Sequence, residues 1–231
     1  MTQITVQSRW TARHPERIQL YSFPTPNGIK VSLALEEMAL PYEAHTIHIG
    51  KGDQDSEAYR TISPNGKIPT LLDPNGPNGQ PIALMESGAI LYYLAEKTGM
   101  FIPSDPIAKS EALQWLFFQV GHIGPMFGQF GHFHKFARGK CDHPYPLERY
   151  THETQRLLGV LEERLKKHPF LLPYGYSIVD MATFPWVEGL IGFYDAAREL
   201  GFDDFPAVKH WLQTCIERPA FAVARKVASP A

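Results

Sequence analysis

Cysteine is scarce. Cys141 and Cys215 are the only two among 231 residues, too few and too far apart for a disulfide framework. A reducing, cytoplasmic setting is therefore expected. Charge of one sign is also missing: 22 Lys and Arg face 24 Asp and Glu, a formal net charge of −2. That balance leaves no electrostatic footprint for nucleic acid or an anionic membrane surface, and Lys166-Lys167 and Arg225-Lys226 are too short to make one. Long apolar runs are lacking. Stretches such as Trp115–Phe118 fall far short of the roughly 20 residues of a membrane span. Residues 1–17 have no apolar core, so a secretory signal is not expected. His132-x-His134 and Cys141-Asp142-His143 lack the spaced ligand clusters of a zinc site, so no metal is expected.

What is present is ordinary globular material, 44% hydrophobic and 20% charged, enough for two modest domains. After a polar arm over 1–17, Ile18–Phe23 reads as a strand. Val31, Ala34, Leu35 and Met38 keep helical spacing, and Ile47 and Ile49 on either side of His48 suggest a second, parallel strand. A short helix over Asp55–Ile62 follows, then strands at Ile68–Leu72 and Ile82–Met85 flanking a loop rich in Pro, Asn and Gly. A helix over Ser87–Lys97 completes the order β-α-β-α-β-β-α, an α/β thioredoxin-like domain over 18–97. Residues 98–105 read as a linker, and over 106–231 strand signals vanish. That region reads as an all-helical domain, with a capping box at Ser177–Asp180 and a last helix over Val208–Glu217.

Two segments make unusual backbone demands. In Ser63-Pro64-Asn65-Gly66-Lys67-Ile68-Pro69 a proline stands at the head of a strand, where no ladder donor is needed. An X-Pro bond is also where a cis peptide is cheap, and a cis bond there turns the Ile68 N–H and C=O outward, toward an extended peptide. At Glu86-Ser87-Gly88 an acid and a serine open a helix, where Ser87 can cap and free N–H groups suit a carboxylate. Together they describe a site for a small peptide carboxylate.

A thioredoxin-like redox enzyme keeps Cys-x-x-Cys at the first strand–helix junction. Here the junction reads Phe23-Pro24-Thr25-Pro26-Asn27-Gly28, so thiol chemistry must come from a ligand. Thr25 and Asn27 are short donors at a helix start. Moving a free thiol from a pKa of about 8.5 to 7 needs roughly 2 kcal/mol. One hydrogen bond to a charged sulfur supplies about 1.5–3 and the helix end about 0.3–1. The alternative is that both residues only cap the helix. Tyr21 and Ser22 are rival thiol activators, although Tyr21 lies within a strand, where packing is the commoner role.

The set Thr25-Pro26-Asn27-Gly28, Gly50-Lys51-Gly52-x-Gln54, Ser63–Pro69, Glu86-Ser87-Gly88-Ala89-Ile90 and Leu147-Glu148-Arg149-Tyr150 resembles the bacterial Nu-class glutathione transferases, from about Ile18 to Ala220. The resemblance implies a homodimer with disulfide-bond reductase activity, using glutathione as co-substrate, and weaker peroxidase and transferase activities. It implies that Thr25 and Asn27 address the glutathione sulfur, and that Gln54 and the Ile68 backbone hold the peptide. Glu86 and Ser87 would take the γ-glutamyl end, with Arg149 reaching in from the helical domain. Small disulfides or hydroperoxides are the expected second substrates. The rival readings are a conjugating transferase, an organic hydroperoxidase, or a regulatory protein that binds glutathione without catalysis.

Overall fold

The computed structural model describes residues 8–230, so the first seven residues of the expected arm lie outside the described residues. The chain forms two compact units: one runs to Met100 and takes in the stretch from Pro219, and the other runs from Phe101 to Arg218.

The first unit is built on strands β1 (Ile18–Ser22), β2 (Tyr42–Thr46), β3 (Thr70–Asp73) and β4 (Ile82–Met85), in the spatial order β2-β1-β3-β4. β1 and β2 are parallel with Ile18 opposite Tyr42, whereas β3 runs antiparallel to both β1 and β4. Helices α1 (Pro26–Glu37), α2 (Glu57–Arg60) and α3 (Ser87–Thr98) complete the expected order. β1 is central and every one of its residues is buried. The second strand lies upstream of the expected Ile47–Ile49. It is an edge strand with mostly half-exposed side chains, so it needs no apolar alternation and its sequence carries little signal. Ile47 is buried just past its end, and Ile49–Lys51 coils into a 3₁₀ turn.

A core of Trp10, Tyr21, Ile47, Tyr59 and Ile62 fills one face of the unit. Each such side chain is worth roughly 1.5–3 kcal/mol of burial. Tyr21 is therefore a packing residue, stacked on His45 with ring centroids 4.6 Å apart, and burial pushes its phenol up to about 12. A helix that the sequence did not announce, α9 (Pro219–Ala224), packs along α1, with Ser32 Oγ donating to Ala224 O at 3.0 Å. The expected helical region over 106–231 thus gives its final helix to the first unit, and Val208–Glu217 is not the last helix.

The second unit holds α4 (Pro106–Phe118), α5 (Gly124–Gly131), α6 (Tyr145–Leu165), α7 (Ile178–Ile191) and α8 (Pro206–Ile216). Single π-helical turns, Gln119–Ile123 and His132–Phe136, join α4 to α5 and extend α5. α6 presents Thr154, Leu157, Leu158, Leu161 and Leu165 as one buried stripe. Its buried Glu162 accepts from the Ala207 and Val208 N–H groups at 3.0 Å, capping α8, whose own N-cap Phe205 supplies no side-chain bond. The predicted capping box is present: Ser177 accepts from Val179 N and Asp180 accepts from Ser177 N. Among the described residues no helix is long and apolar enough to cross a membrane.

Asp180 is fully buried and accepts from Leu171 N (3.0 Å), Ser177 N (3.0 Å), Ser177 Oγ (3.1 Å) and Trp211 Nε1 (2.9 Å). Asp180→Ala strands several buried donors, each costing about 1–3 kcal/mol. Urea unfolding is expected to show a loss of at least about 3 kcal/mol. A loss below about 1 kcal/mol would contradict this role.

Candidate functional site

A cavity of about 150 Å³ opens in the first unit, lined by Asn27, Ser63, Asn65, Lys67, Ile68, Pro69, Met85, Glu86 and Ser87. Three pieces of chain meet there: the first turn of α1, the segment entering β3, and the β4–α3 junction.

The α1 start is set by a close approach. A Cβ at Gly28 would lie 2.0 Å from Phe23 O, so only glycine lets the helix begin this near the end of β1. Thr25 is the N-cap and accepts from Gly28 N at 3.4 Å. It does not line the cavity, whereas Asn27, two residues on, does. Thr25 therefore caps, as the plainer reading had it, but a hydroxyl that accepts keeps its own proton to donate.

The β3 entry is held by hydroxyls. Tyr59 Oη and Ser63 Oγ both donate to Lys67 O at 2.9 Å, and Lys67 N donates back to Ser63 Oγ at 3.2 Å. Gly66 takes φ +62°, the left-handed region that favours glycine, to close this turn. The Ile68–Pro69 bond is cis. Neither the N–H nor the C=O of Ile68 is hydrogen-bonded among the described residues. Gln54 lies on the 3₁₀ turn Asp53–Asp55, outside the lining residues, with its Nε2 donating to Asp55 Oδ2 at 2.9 Å. Its backbone carbonyl oxygen packs on the Gly66 turn, 3.2 Å from where a Cβ would stand.

The third piece, the β4–α3 junction, differs from the expectation. Ser87 does not cap α3. Glu86 occupies the N-cap without a side-chain bond, and Ser87 is the first helical residue. Glu86 has φ 68° and ψ 114°, a conformation that L-residues rarely adopt. Ser87 Oγ instead receives a hydrogen bond from Lys30 Nζ at 3.3 Å. Lys30 comes from α1, is only 1% exposed, and was not anticipated from sequence. Burial pulls its ammonium down to about 7, and Glu86 acts in the opposite direction. A lysine amid Gly28, Val31 and Leu33 carries no local signal, because only the fold reveals that its end is enclosed.

Four of the seven expected residues thus share this cavity: Asn27, Ile68, Glu86 and Ser87. Thr25 and Gln54 stand outside its lining, and Arg149 is exposed near the start of α6 in the other unit. No cysteine lines the cavity. Cys215 is buried and Cys141 is exposed, in the second unit. Among the described residues no group of three or more His, Cys, Asp or Glu is arranged to hold a metal ion. The arrangement offers unpaired backbone groups at Ile68, two helix starts and one carboxylate, which suits a zwitterionic peptide.

Residues 25–97 match the family described as glutathione S-transferase, N-terminal domain, and residues 142–219 match its C-terminal domain. The chain is 45% identical over 204 residues to the disulfide-bond oxidoreductase YfcG of Escherichia coli strain K12, covering 88% of this chain and 92% of that protein. It is 41% identical to the disulfide-bond oxidoreductase YghU of the same organism, covering 93% and 75%. The crystal structure of a glutathione transferase from Pseudomonas putida, with one glutathione disulfide bound per subunit, superposes with a TM-score of 0.93 at 51% identity, covering 96% of both chains.

If Glu86 is kept for its carboxylate at the expense of backbone strain, Glu86→Gly relieves that strain. Urea unfolding is expected to show a gain of roughly 1 kcal/mol. A clear loss would mean that the side chain supports the fold itself.

Proposed function

This chain belongs to the glutathione S-transferase family, and we propose that within it the protein is a disulfide-bond reductase whose reactive sulfur is that of bound glutathione. The observation that carries the proposal is a cavity whose lining includes Asn27, Ile68, Glu86 and Ser87 but no cysteine. The glutathione backbone pairs with the Ile68 N–H and C=O. The γ-glutamyl ammonium meets Glu86 and its carboxylate meets Ser87 and the α3 N-terminus. The Asn27 amide donates to the glutathione sulfur, with the Thr25 hydroxyl proton as a second donor. Gln54 and Arg149 are further glutathione contacts on the strength of the Nu-class resemblance, Arg149 as a fork on a carboxylate. The same resemblance supports a homodimer, and the scarcity of cysteine supports a cytoplasmic setting.

The chemistry is two successive exchanges. A glutathione thiolate attacks one sulfur of the substrate disulfide, forming a mixed disulfide and expelling a substrate thiolate. A second glutathione thiolate attacks the glutathione sulfur of that intermediate. Glutathione disulfide forms, the other substrate thiolate leaves, and two glutathiones have supplied the two electrons. Asn27, Thr25 and the α1 terminus favour the thiolate over the thiol, at an expense of about 2 kcal/mol that one charged hydrogen bond and a helix end cover.

Reduction of hydroxyethyl disulfide by glutathione, coupled to glutathione reductase and NADPH, tests the proposal. Turnover is expected with the disulfide and far less with an aromatic chloride or an organic hydroperoxide, and the opposite order would replace it with a conjugating or peroxidase role. Asn27→Ala is expected to lower turnover ten- to a hundredfold, the loss of about 1.5–3 kcal/mol. The double variant Cys141→Ser, Cys215→Ala should keep nearly full activity. Its inactivation with an unchanged circular dichroism spectrum would contradict a ligand-supplied thiol.

A further inference from the structure

Lys30 is the one Lys or Arg side chain among the described residues that is fully enclosed. Burying an ammonium is costly, and an apolar residue of similar volume commonly serves a fold as well or better. Its placement is specific. It stands one turn beyond Asn27 on α1 and reaches the head of α3, where its Nζ meets Ser87 Oγ at 3.3 Å.

An ammonium only donates. Ser87 Oγ must accept from it, and the serine's own proton is left for another acceptor, while Ser87 itself lines the cavity. A positive charge therefore stands behind the hydroxyl, and the negative Glu86 stands beside it. A zwitterionic end group meets complementary charge at both of its ends in only one orientation.

We infer that Lys30 is a positioning residue that acts through Ser87 on the α-carboxylate of the ligand's γ-glutamyl end and disfavours ligands without that carboxylate. This rests on the cavity being the glutathione site. The charges around Lys30 make the effect depend on pH. Glu86 at the head of α3 acts on it and favours the charged form. The remaining acid and base of α3, Glu96 and Lys97, lie about 14 Å or more along the helix axis from Ser87. Lys97 is occupied by Asp73 at 2.7 Å. α9 carries no titratable side chain, Arg225 beyond it lies over the Phe221 ring, and Tyr21 of β1 is neutral below about 12. With burial holding the free-site ammonium near 7, a carboxylate seated on Ser87 draws its pKa upward, so ligand binding takes up a proton. Affinity is then highest below pH 7 and falls as pH rises through it.

Calorimetric titration of the full chain with S-methylglutathione, which has no thiol to titrate, reads this directly. The wild-type protein is expected to bind about five- to tenfold more weakly at pH 8 than at pH 6. At pH 7.5, comparison of buffers with different ionisation enthalpies should show about 0.5–1 proton taken up per ligand. An analogue with 4-aminobutyryl in place of γ-glutamyl should bind wild type at least about tenfold more weakly, and Lys30→Met should shrink that preference to about twofold and flatten the pH dependence. A variant that keeps both, or a wild type that takes up no proton, overturns the role of Lys30. Should Lys30→Met not fold, the wild-type proton uptake decides alone. If wild type binds neither ligand, the glutathione reading itself fails, whereas binding without proton coupling and with the preference intact in Lys30→Met removes only Lys30.

Discussion

Two hydroxyls converge on one carbonyl, and the site's geometry depends on it: Tyr59 and Ser63 both donate to Lys67 O. The Lys67 carbonyl is fixed one residue before the cis Ile68–Pro69 bond, and β3 starts at Thr70. Tyr59 can do this because it is fully buried, in edge contact with Trp10 and hydrogen-bonded to Thr70 Oγ1 at 2.9 Å. Trp10 is itself tied to β2 through Thr46 O, and the neighbouring Arg9 pairs with Asp53, beside Gln54. The described end of the arm thus braces the loops around the cavity. The result is a bend at Ile68 whose backbone polar groups are unpaired among the described residues, an arrangement that a fold seeking only stability would avoid.

Two helix starts, those of α1 and α3, border the same cavity and add positive potential to that of the exposed Lys67 in its lining. Lys30 adds positive charge from beneath to the extent that it is protonated, and Glu86 adds the one carboxylate of the lining. A pocket electropositive on one side and negative at one corner suits an anion-bearing zwitterion. With no cysteine in the lining, the protein's contribution to sulfur chemistry is to position and ionise a thiol that arrives with the ligand.

Much of this was legible because it depends on local backbone constraints. Proline ahead of an apolar run marks the β3 entry, and Ser177 with Asp180 marks a helix start whatever the surroundings. Elements defined by tertiary packing were not legible. β2 lies at a sheet edge and lacks alternation, so the apolar residues just past it drew the reading downstream. α9 is only six residues long and is held by its packing along α1. Lys30 and the strained Glu86 are ordinary letters in sequence, and only the meeting of α1 with the head of α3 gives them meaning.

The central claim is that an extended peptide pairs with the free backbone of Ile68. The amide of Ile68, followed by ¹⁵N NMR hydrogen exchange with and without glutathione, tests it most directly. The N–H has no partner among the described residues, so it should exchange rapidly in the free protein and be protected at least about tenfold by saturating glutathione, with the amide of Ser87 shifting alongside it. Saturation by glutathione with the Ile68 amide still exchanging at its free rate would contradict the account.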